Sequence, residues 1–109
     1  MVAVLDKAAE SDLVVLIAAP NWAEVAYQVQ RKVGRSRWSD VRTKLLALPL
    51  EIVAVGQALA EIAAGFKATR KMSLADCFAA ALAKERACEV YTGDPEFRAV
   101  EKDVKVAWL

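Results

Sequence analysis

The chain has 109 residues, of which 57% are hydrophobic and 27% charged; this suits one folded domain and excludes a disordered or low-complexity chain. Fifteen basic and fourteen acidic residues leave a net charge of +1, so the overall charge favours neither nucleic acid nor a membrane as a partner. The absence of histidine excludes Ser-His-Asp and Cys-His catalysis and imidazole-based zinc sites. Carboxylates, lysines, thiols and hydroxyls remain available for chemistry.

The cysteines and the apolar runs are used to predict the cellular compartment of the protein. Cys77 and Cys88 are too few for a disulfide framework and flank one predicted helix, so we expect reduced thiols. Charged residues interrupt the apolar start, and the longest apolar run, residues 13–20, is shorter than the ~20 residues of a membrane helix. We therefore predict a single cytoplasmic domain over residues 1–109 with no membrane segment.

The first half of the chain predicts alternating strands and helices. Residues 13–17 form a continuous aliphatic run, which is typical of a strand buried on both faces. Gly34 and Pro49 each end a stretch with helical apolar spacing. The predicted elements are, in order, a strand over 13–17, a helix over 22–33, a helix over 36–48 capped by Ser36, and a strand over 51–55.

The second half continues this alternation and contains the clearest helix. Ser73 is the expected N-cap of a helix whose apolar residues follow helical spacing: Leu74, Cys77, Phe78, Ala81 and Leu82. The other predicted elements are a helix ending near Arg70, a strand over 88–92, a helical turn over 95–100 and a last strand over 104–108. The pattern predicts an α/β fold, a three-layer sandwich in which helices flank a mainly parallel sheet.

Three carboxylates are predicted at one edge of this sheet. Glu24 lies in the predicted first turn of the helix after strand 13–17, and Asp94 directly follows strand 88–92. Asp76 lies in the first turn of the helix that runs back along the sheet to strand 88–92, so its start is at the same edge. Because ligands of parallel sheets bind beyond the carboxyl ends of the strands, we expect the three acids to converge.

Each acid also has a structural interpretation. Ser73 and Asp76 fit a capping box, Asp94–Pro95 fits an N-cap followed by proline, and Asn21 with Glu24 fits a similar cap. Taken singly, capping is the better interpretation of each acid. Taken together, three carboxylates at one edge repel one another unless a cation lies between them. Hard oxygen ligands suit Mg²⁺ or Mn²⁺.

Two segments resemble a known family. Residues 72–81, Met-Ser-Leu-Ala-Asp-Cys-Phe-Ala-Ala-Ala, and residues 92–97, Thr-Gly-Asp-Pro-Glu-Phe, closely resemble the PIN-domain family, specifically the VapC-like toxins of toxin–antitoxin pairs. Residues 21–25 are similar to the family's earlier acidic motif, and residues 104–109 resemble its last strand. The resemblance extends over nearly the whole chain from Leu13 onward.

The resemblance implies a function. It implies a Mg²⁺-dependent (or Mn²⁺-dependent) endoribonuclease that cleaves RNA phosphodiesters and pairs with a cognate antitoxin protein. Of the family's four catalytic and metal-binding acids, Glu24, Asp76 and Asp94 would be the second, third and fourth. Apart from the resemblance, Lys67, Arg70 and Lys71 precede Ser73 and so lie near the acidic edge, where we expect them to hold a phosphate backbone beside the metal, with Lys71 as the first candidate for substrate binding.

The start of the chain departs from the family pattern. PIN domains open with a strand that ends in the first acid, and residues 1–6 look like that strand with Asp6 as the acid. Only residues 7–12 separate Asp6 from the next strand, whereas a crossover between parallel strands needs at least ~10–12 residues. We therefore predict that residues 1–11 are the tail of the family's second helix, and that the chain is truncated and lacks the first strand and first acid.

In the PIN family the first strand lies between the counterparts of strands 13–17 and 88–92, so the resemblance implies that its absence would leave two strand edges open in the middle of the sheet. The strands 13–17 and 88–92 could then pair directly, a second copy could supply a strand, or residues 1–5 could insert, which would bring Asp6 beside the other acids. We predict a homodimer or larger assembly with negligible nuclease activity as the chain stands. The alternative function is a catalytically inactive PIN remnant that binds an antitoxin or a second copy of itself.

A second basic cluster occupies the predicted connection between two helices. Residues 31–44 contain six basic residues and one acid, Asp40. Such a run is usually a solvated surface, and contact with RNA or with an acidic partner segment is the functional alternative.

Overall fold

A computed structural model of the protein describes residues 3–6 and 14–109. Its elements are β1 (Ala3–Asp6), β2 (Val14–Ala18), α1 (Ala19–Val33), α2 (Arg35–Leu46), β3 (Leu50–Val53), α3 (Gln57–Thr69), α4 (Leu74–Arg86), β4 (Glu89–Thr92), the 3₁₀ helix η1 (Pro95–Val100) and β5 (Lys105–Trp108). Every element predicted from residue 13 onward is present, with boundaries shifted by a few residues.

The strands form one sheet in the order β3-β2-β1-β4-β5. The pairs β2–β3 and β4–β5 are parallel, whereas β1 is antiparallel to both β2 and β4. The four strands other than β1 therefore point the same way, and their carboxyl ends share one edge. The prediction of an α/β fold with parallel strands is confirmed, although two of the four strand pairs are antiparallel.

The strand β1 corrects the prediction for the start of the chain. Ala3–Asp6 occupies the middle of the sheet, so the predicted helix is wrong for these residues, and residues 1–2 and 7–11 lie outside the described part. The physical reason is strand direction. A parallel pair needs a long crossover, but an antiparallel pair can be joined by a short connection. Because β1 fills the position between β2 and β4, the open edges on which the homodimer prediction rested are not present in the described residues.

The direction of β1 also determines where Asp6 lies. The backbone of Asp6 pairs with Val14 at the start of β2, while Ala3 pairs with Tyr91 near the end of β4. The backbone of Asp6 is therefore at the edge opposite the carboxyl ends of the parallel strands. The expectation that an inserted β1 would bring Asp6 beside the other acids is wrong for this reason.

Helix α4 forms the centre of the core. It packs against α1 and α3 and against the strands β1, β2 and β4. Residues 79–83 (Ala-Ala-Ala-Leu-Ala) are all buried, because small side chains let neighbouring elements approach the helix from several directions. Of the predicted apolar stripe, Cys77, Ala81 and Leu82 are fully buried, whereas Leu74, the first residue of the helix, is 54% exposed.

Three smaller predictions can be compared directly. Gly34 ends α1 with φ 87°, a backbone conformation that favours glycine, but α2 begins at Arg35 rather than after a Ser36 cap. Cys77 and Cys88 are not joined by a disulfide. Within the described ranges, no helix is both long and apolar enough to cross a membrane.

Candidate active site

A polar pocket of about 380 Å³ lies at the carboxyl edge of the sheet. Its lining residues are Glu24, Ser73, Asp76, Thr92, Gly93, Asp94 and Glu96. The structure therefore brings together the three acids predicted from the sequence, although they come from α1, the start of α4 and the segment after β4. A fourth acid, Glu96, joins them.

Asp76 is the most buried of the four acids, with 9% of its surface exposed. It lies in the first turn of α4, where its backbone N–H donates to Ser73 Oγ at 3.2 Å. Burial raises the pKa of the Asp76 carboxyl, and the nearby charges of Asp94, Glu96 and Glu24 add to the rise, while a hydrogen bond with the Ser73 side chain lowers it. The other three acids thus repel the charged form of Asp76, which is the acid least exposed to water.

Asp94 is held by two hydrogen bonds of its own segment. Its backbone N–H donates to Thr92 Oγ1 at 3.0 Å, and its Oδ1 accepts from the Glu96 N–H at 2.9 Å. The predicted N-cap followed by Pro95 is confirmed, with the difference that the helix it begins is a 3₁₀ helix. The cap uses Oδ1, and the other carboxylate oxygen is not part of it.

Glu24 is not a capping residue. Helix α1 begins at Ala19, with Pro20 in its first turn, so Glu24 lies beyond the first turn in which it was predicted. Proline pre-sets the backbone for the start of a helix, which explains the earlier start. Asn21, the predicted cap, is instead buried inside the helix, and its Nδ2 donates to the Ala75 carbonyl of α4 at 3.0 Å. Helix capping therefore does not explain the position of Glu24 in the pocket.

Glu96 was missed by the sequence interpretation. Oxygen atoms of Asp76, Asp94 and Glu96 lie within 4.8 Å of one another, close enough for all three to bind one ion. An all-oxygen set of carboxylates with one buried member fits Mg²⁺ or Mn²⁺. The signal was present, because Glu96 follows Asp94 by two residues in the Thr-Gly-Asp-Pro-Glu-Phe segment. Glu24 lines the pocket but lies outside this set of three.

The basic residues before α4 differ in their contacts. Lys67 Nζ donates to the Met72 carbonyl at 2.7 Å, and Arg70 forms an ion pair of 2.7 Å with Asp103. Lys71 is exposed and has no hydrogen bond or ion pair with any described residue. Of the three predicted phosphate-binding residues, Lys71 is thus the one whose charge is not used within the fold.

Comparison with known proteins identifies the family. The family model described as PIN domain matches residues 2–103. The chain belongs to the PIN domain family. Searches of curated proteins and of solved structures returned no significant match. PIN domains form a nuclease family and typically use divalent metal ions, so the acidic pocket of this PIN domain is compatible with such an ion. The relation to VapC-like toxins and the truncation stay predictions.

We predict that Asp76→Asn stabilises the metal-free PIN domain. A raised carboxyl pKa means that the folded protein binds this proton more tightly than the unfolded chain does. The stability that this group contributes is therefore present at low pH and is lost as the pH rises above the ordinary value of 3.8. The melting temperature in EDTA should be higher for Asp76→Asn than for the wild type at neutral pH, and the difference should shrink on acidification.

Asp40→Asn is the matched control, because Asp40 is exposed on α2, away from the pocket. It should leave the melting temperature nearly unchanged. A lower melting temperature for Asp76→Asn at neutral pH would contradict the prediction, because it would make the charged carboxylate a stabilising group.

Proposed function

We propose that this PIN domain is a metal-dependent endoribonuclease that acts on RNA in the cytoplasm. The observation that carries the proposal is the pocket, in which four carboxylates from three segments of the chain meet. Helix capping explains the position of Asp94 only in part and that of Glu24 not at all. The earlier expectation of negligible activity assumed three acids, and Glu96 supplies a fourth in the same pocket.

The residues can be assigned roles in phosphodiester hydrolysis. Glu24, Asp76 and Asp94 would hold a Mg²⁺ or Mn²⁺ ion, which would supply an activated water for in-line attack and offset charge on the phosphoryl oxygens. Glu24, which lines the pocket outside the set of three convergent carboxylates, would also orient the attacking water or accept its proton.

We predict metal-dependent cleavage that requires the pocket acids. The purified chain should bind Mn²⁺ in calorimetry and cut single-stranded RNA in Mg²⁺ or Mn²⁺ but not in EDTA. Asp76→Asn, Asp94→Asn and Glu24→Gln should each reduce cleavage by roughly a hundredfold or more, because each removes a charge that holds the ion or handles the water.

Asp6→Asn is the matched control, since the backbone of Asp6 lies at the opposite edge of the sheet. It should leave both metal affinity and cleavage unchanged. Equal Mn²⁺ titrations for the wild type and Asp76→Asn would reject the metal site. Metal binding without cleavage would instead favour the alternative function, an inactive PIN domain that serves as a binding module.

We predict that Lys71 contacts an RNA phosphate. With the RNA kept intact in EDTA, Lys71→Ala should weaken binding and reduce the slope of log affinity against log salt by about one, as expected for one lost phosphate contact. Lys67→Ala is the control, because Lys67 already donates to the Met72 carbonyl. An unchanged slope for Lys71→Ala with a reduced slope for Arg37→Ala would move the RNA path to the basic cluster of residues 31–44.

We propose further that the protein is a VapC-like toxin whose antitoxin docks beside α2. Two observations support this finer function. Helix α2 (Arg35–Leu46) buries none of its residues, and an apolar pocket of about 360 Å³ lies at its end. The pocket is lined by Val15, Ile17, Trp22, Leu45, Leu48, Pro49 and Leu50.

The charge of this surface favours an acidic partner. The six basic residues between positions 31 and 44 are all exposed: Arg31, Lys32, Arg35, Arg37, Arg42 and Lys44. A second copy of the chain would bring two such clusters together at a cost in repulsion, whereas an acidic segment with apolar side chains would complement both the charge and the pocket. The predicted homodimer would then use another surface.

We predict that Leu48→Asp prevents this docking. When the chain is coexpressed with the product of the adjacent reading frame, the variant should lose at least about tenfold in affinity, because a charge would enter an apolar contact. Leu74→Asp is the control, since Leu74 is equally exposed (54% against 57% for Leu48) but lies outside the pocket. Wild-type affinity for Leu48→Asp would contradict the proposal. A wild-type dimer that Leu48→Asp dissociates in sedimentation would assign the pocket to a second copy.

A further inference from the structure

The first turn of α4 contains only half of a capping box. In a complete box, the side chain of the N-cap serine accepts a hydrogen bond from the N–H three residues later, and the acid at that position accepts one from the serine N–H. The first bond is present, from the Asp76 N–H to Ser73 Oγ at 3.2 Å. The second is made by another residue. The Ser73 N–H donates to Glu96 Oε1 at 3.0 Å, across 23 positions in the chain.

Glu96 is therefore bonded to both acidic segments at once. Its side chain accepts from Ser73 at the start of α4, and its backbone N–H donates to Asp94 Oδ1 at 2.9 Å. These bonds connect the helix that carries Asp76 to the segment that carries Asp94. The first bond is made by the side chain of Glu96 and the second by its backbone, so Glu96 links the two segments.

The use of Glu96 instead of Asp76 as the acceptor in the cap has a consequence for the Asp76 side chain. A carboxylate that completes its own capping box is turned toward the backbone of the N-cap residue. Because Glu96 bonds the Ser73 N–H, the Asp76 carboxylate is not required there and lies in the pocket with the other acids. The cost is a further negative charge near Asp76, one of the causes that raise its pKa.

We propose that Glu96 is a positioning residue, which completes the cap of α4 in place of Asp76 and so keeps the Asp76 carboxylate available for the metal. This inference rests on the proposed function for its purpose but not for its hydrogen bonds. It differs from a role as a simple ligand, because the cap requires only a hydrogen-bond acceptor whereas an ion favours a negative charge.

Two variants separate the roles. Glu96→Gln keeps an acceptor oxygen for the Ser73 N–H and removes the charge, whereas Glu96→Ala removes both. In the metal-free protein, the amide of Ser73 should be protected from hydrogen exchange in the wild type and in Glu96→Gln, and should lose that protection in Glu96→Ala. Glu96→Ala should also melt about 5 °C below Glu96→Gln, as expected for one lost cap.

Metal binding provides the second readout. Glu96→Gln should bind Mn²⁺ within about threefold of the wild type, and Glu96→Ala should bind at least tenfold more weakly, as is typical when a group that orients a ligand is removed. Equal losses in the two variants would overturn the proposal and make Glu96 a ligand only. Unprotected Ser73 in the wild type would overturn it as well.

The Asp76→Ala substitution tests which of the two acids completes the cap. In the metal-free protein it should leave the amide of Ser73 protected from hydrogen exchange, because that hydrogen bond is made by Glu96. Loss of the protection would overturn the proposal, because it would make Asp76 the capping residue. Because exchange and melting are measured without metal, a failure of the proposed nuclease function would leave these results unaffected.

Discussion

Four carboxylates share one pocket, and the need to hold them there against their mutual repulsion shapes the surrounding structure. Burial raises the pKa of Asp76, and the other three acids raise it further. The segments stay together because hydrogen bonds from three directions meet at the first turn of α4. Asn21 reaches that turn from α1, Ser73 caps it from within, and Glu96 reaches it from η1. The polar pocket is thus a feature of the folded chain before any ion binds.

Most of this site could be predicted from the sequence because strand order and helix direction decide which chain segments share an edge. The carboxyl ends of β2 and β4 and the start of α4 meet as the alternation of elements requires. The stripe of α4 and the cap at Asp94 follow local rules that act within four or five residues, and both were recovered apart from the exposed Leu74. Local signals of this kind survive folding because tertiary contacts reinforce them.

The incorrect predictions have physical causes that local sequence patterns do not contain. The apolar residues of β1 suit either a strand or a helix, and the short connection to β2 excludes a parallel pair but not an antiparallel one. Asparagine is a typical N-cap residue, but α1 begins earlier, with Pro20 in its first turn. Asn21 therefore lies within the helix and contacts α4. The hydrogen bond from Ser73 to Glu96 links distant segments, so no spacing rule could have indicated it.

Helix α2 differs from α4 in that none of its residues is buried in the core. Its contact with the rest of the fold includes Trp38, whose ring lies 5.7 Å from that of Trp22 in α1, tilted by 52°. Aromatic pairs of this geometry contribute roughly 0.5–1.5 kcal/mol beyond the area they bury. The surface proposed for a partner is therefore attached to the domain mainly through α1, which also carries Glu24.

The central strand also constrains how the chain reaches its fold. β1 pairs with β2 along a short stretch of chain, but its other edge pairs with β4, so that Ala3 meets Tyr91 from the far end of the sequence. During synthesis the hairpin of β1 and β2 leaves the ribosome long before β4 does. One edge of β1 stays unpaired in that interval, and an unpaired strand edge is a template for pairing with other chains. The sheet closes only when about the last fifth of the chain, which contains β4 and β5, has been made. Pairing between strands that are distant in sequence is typical of slowly folding topologies.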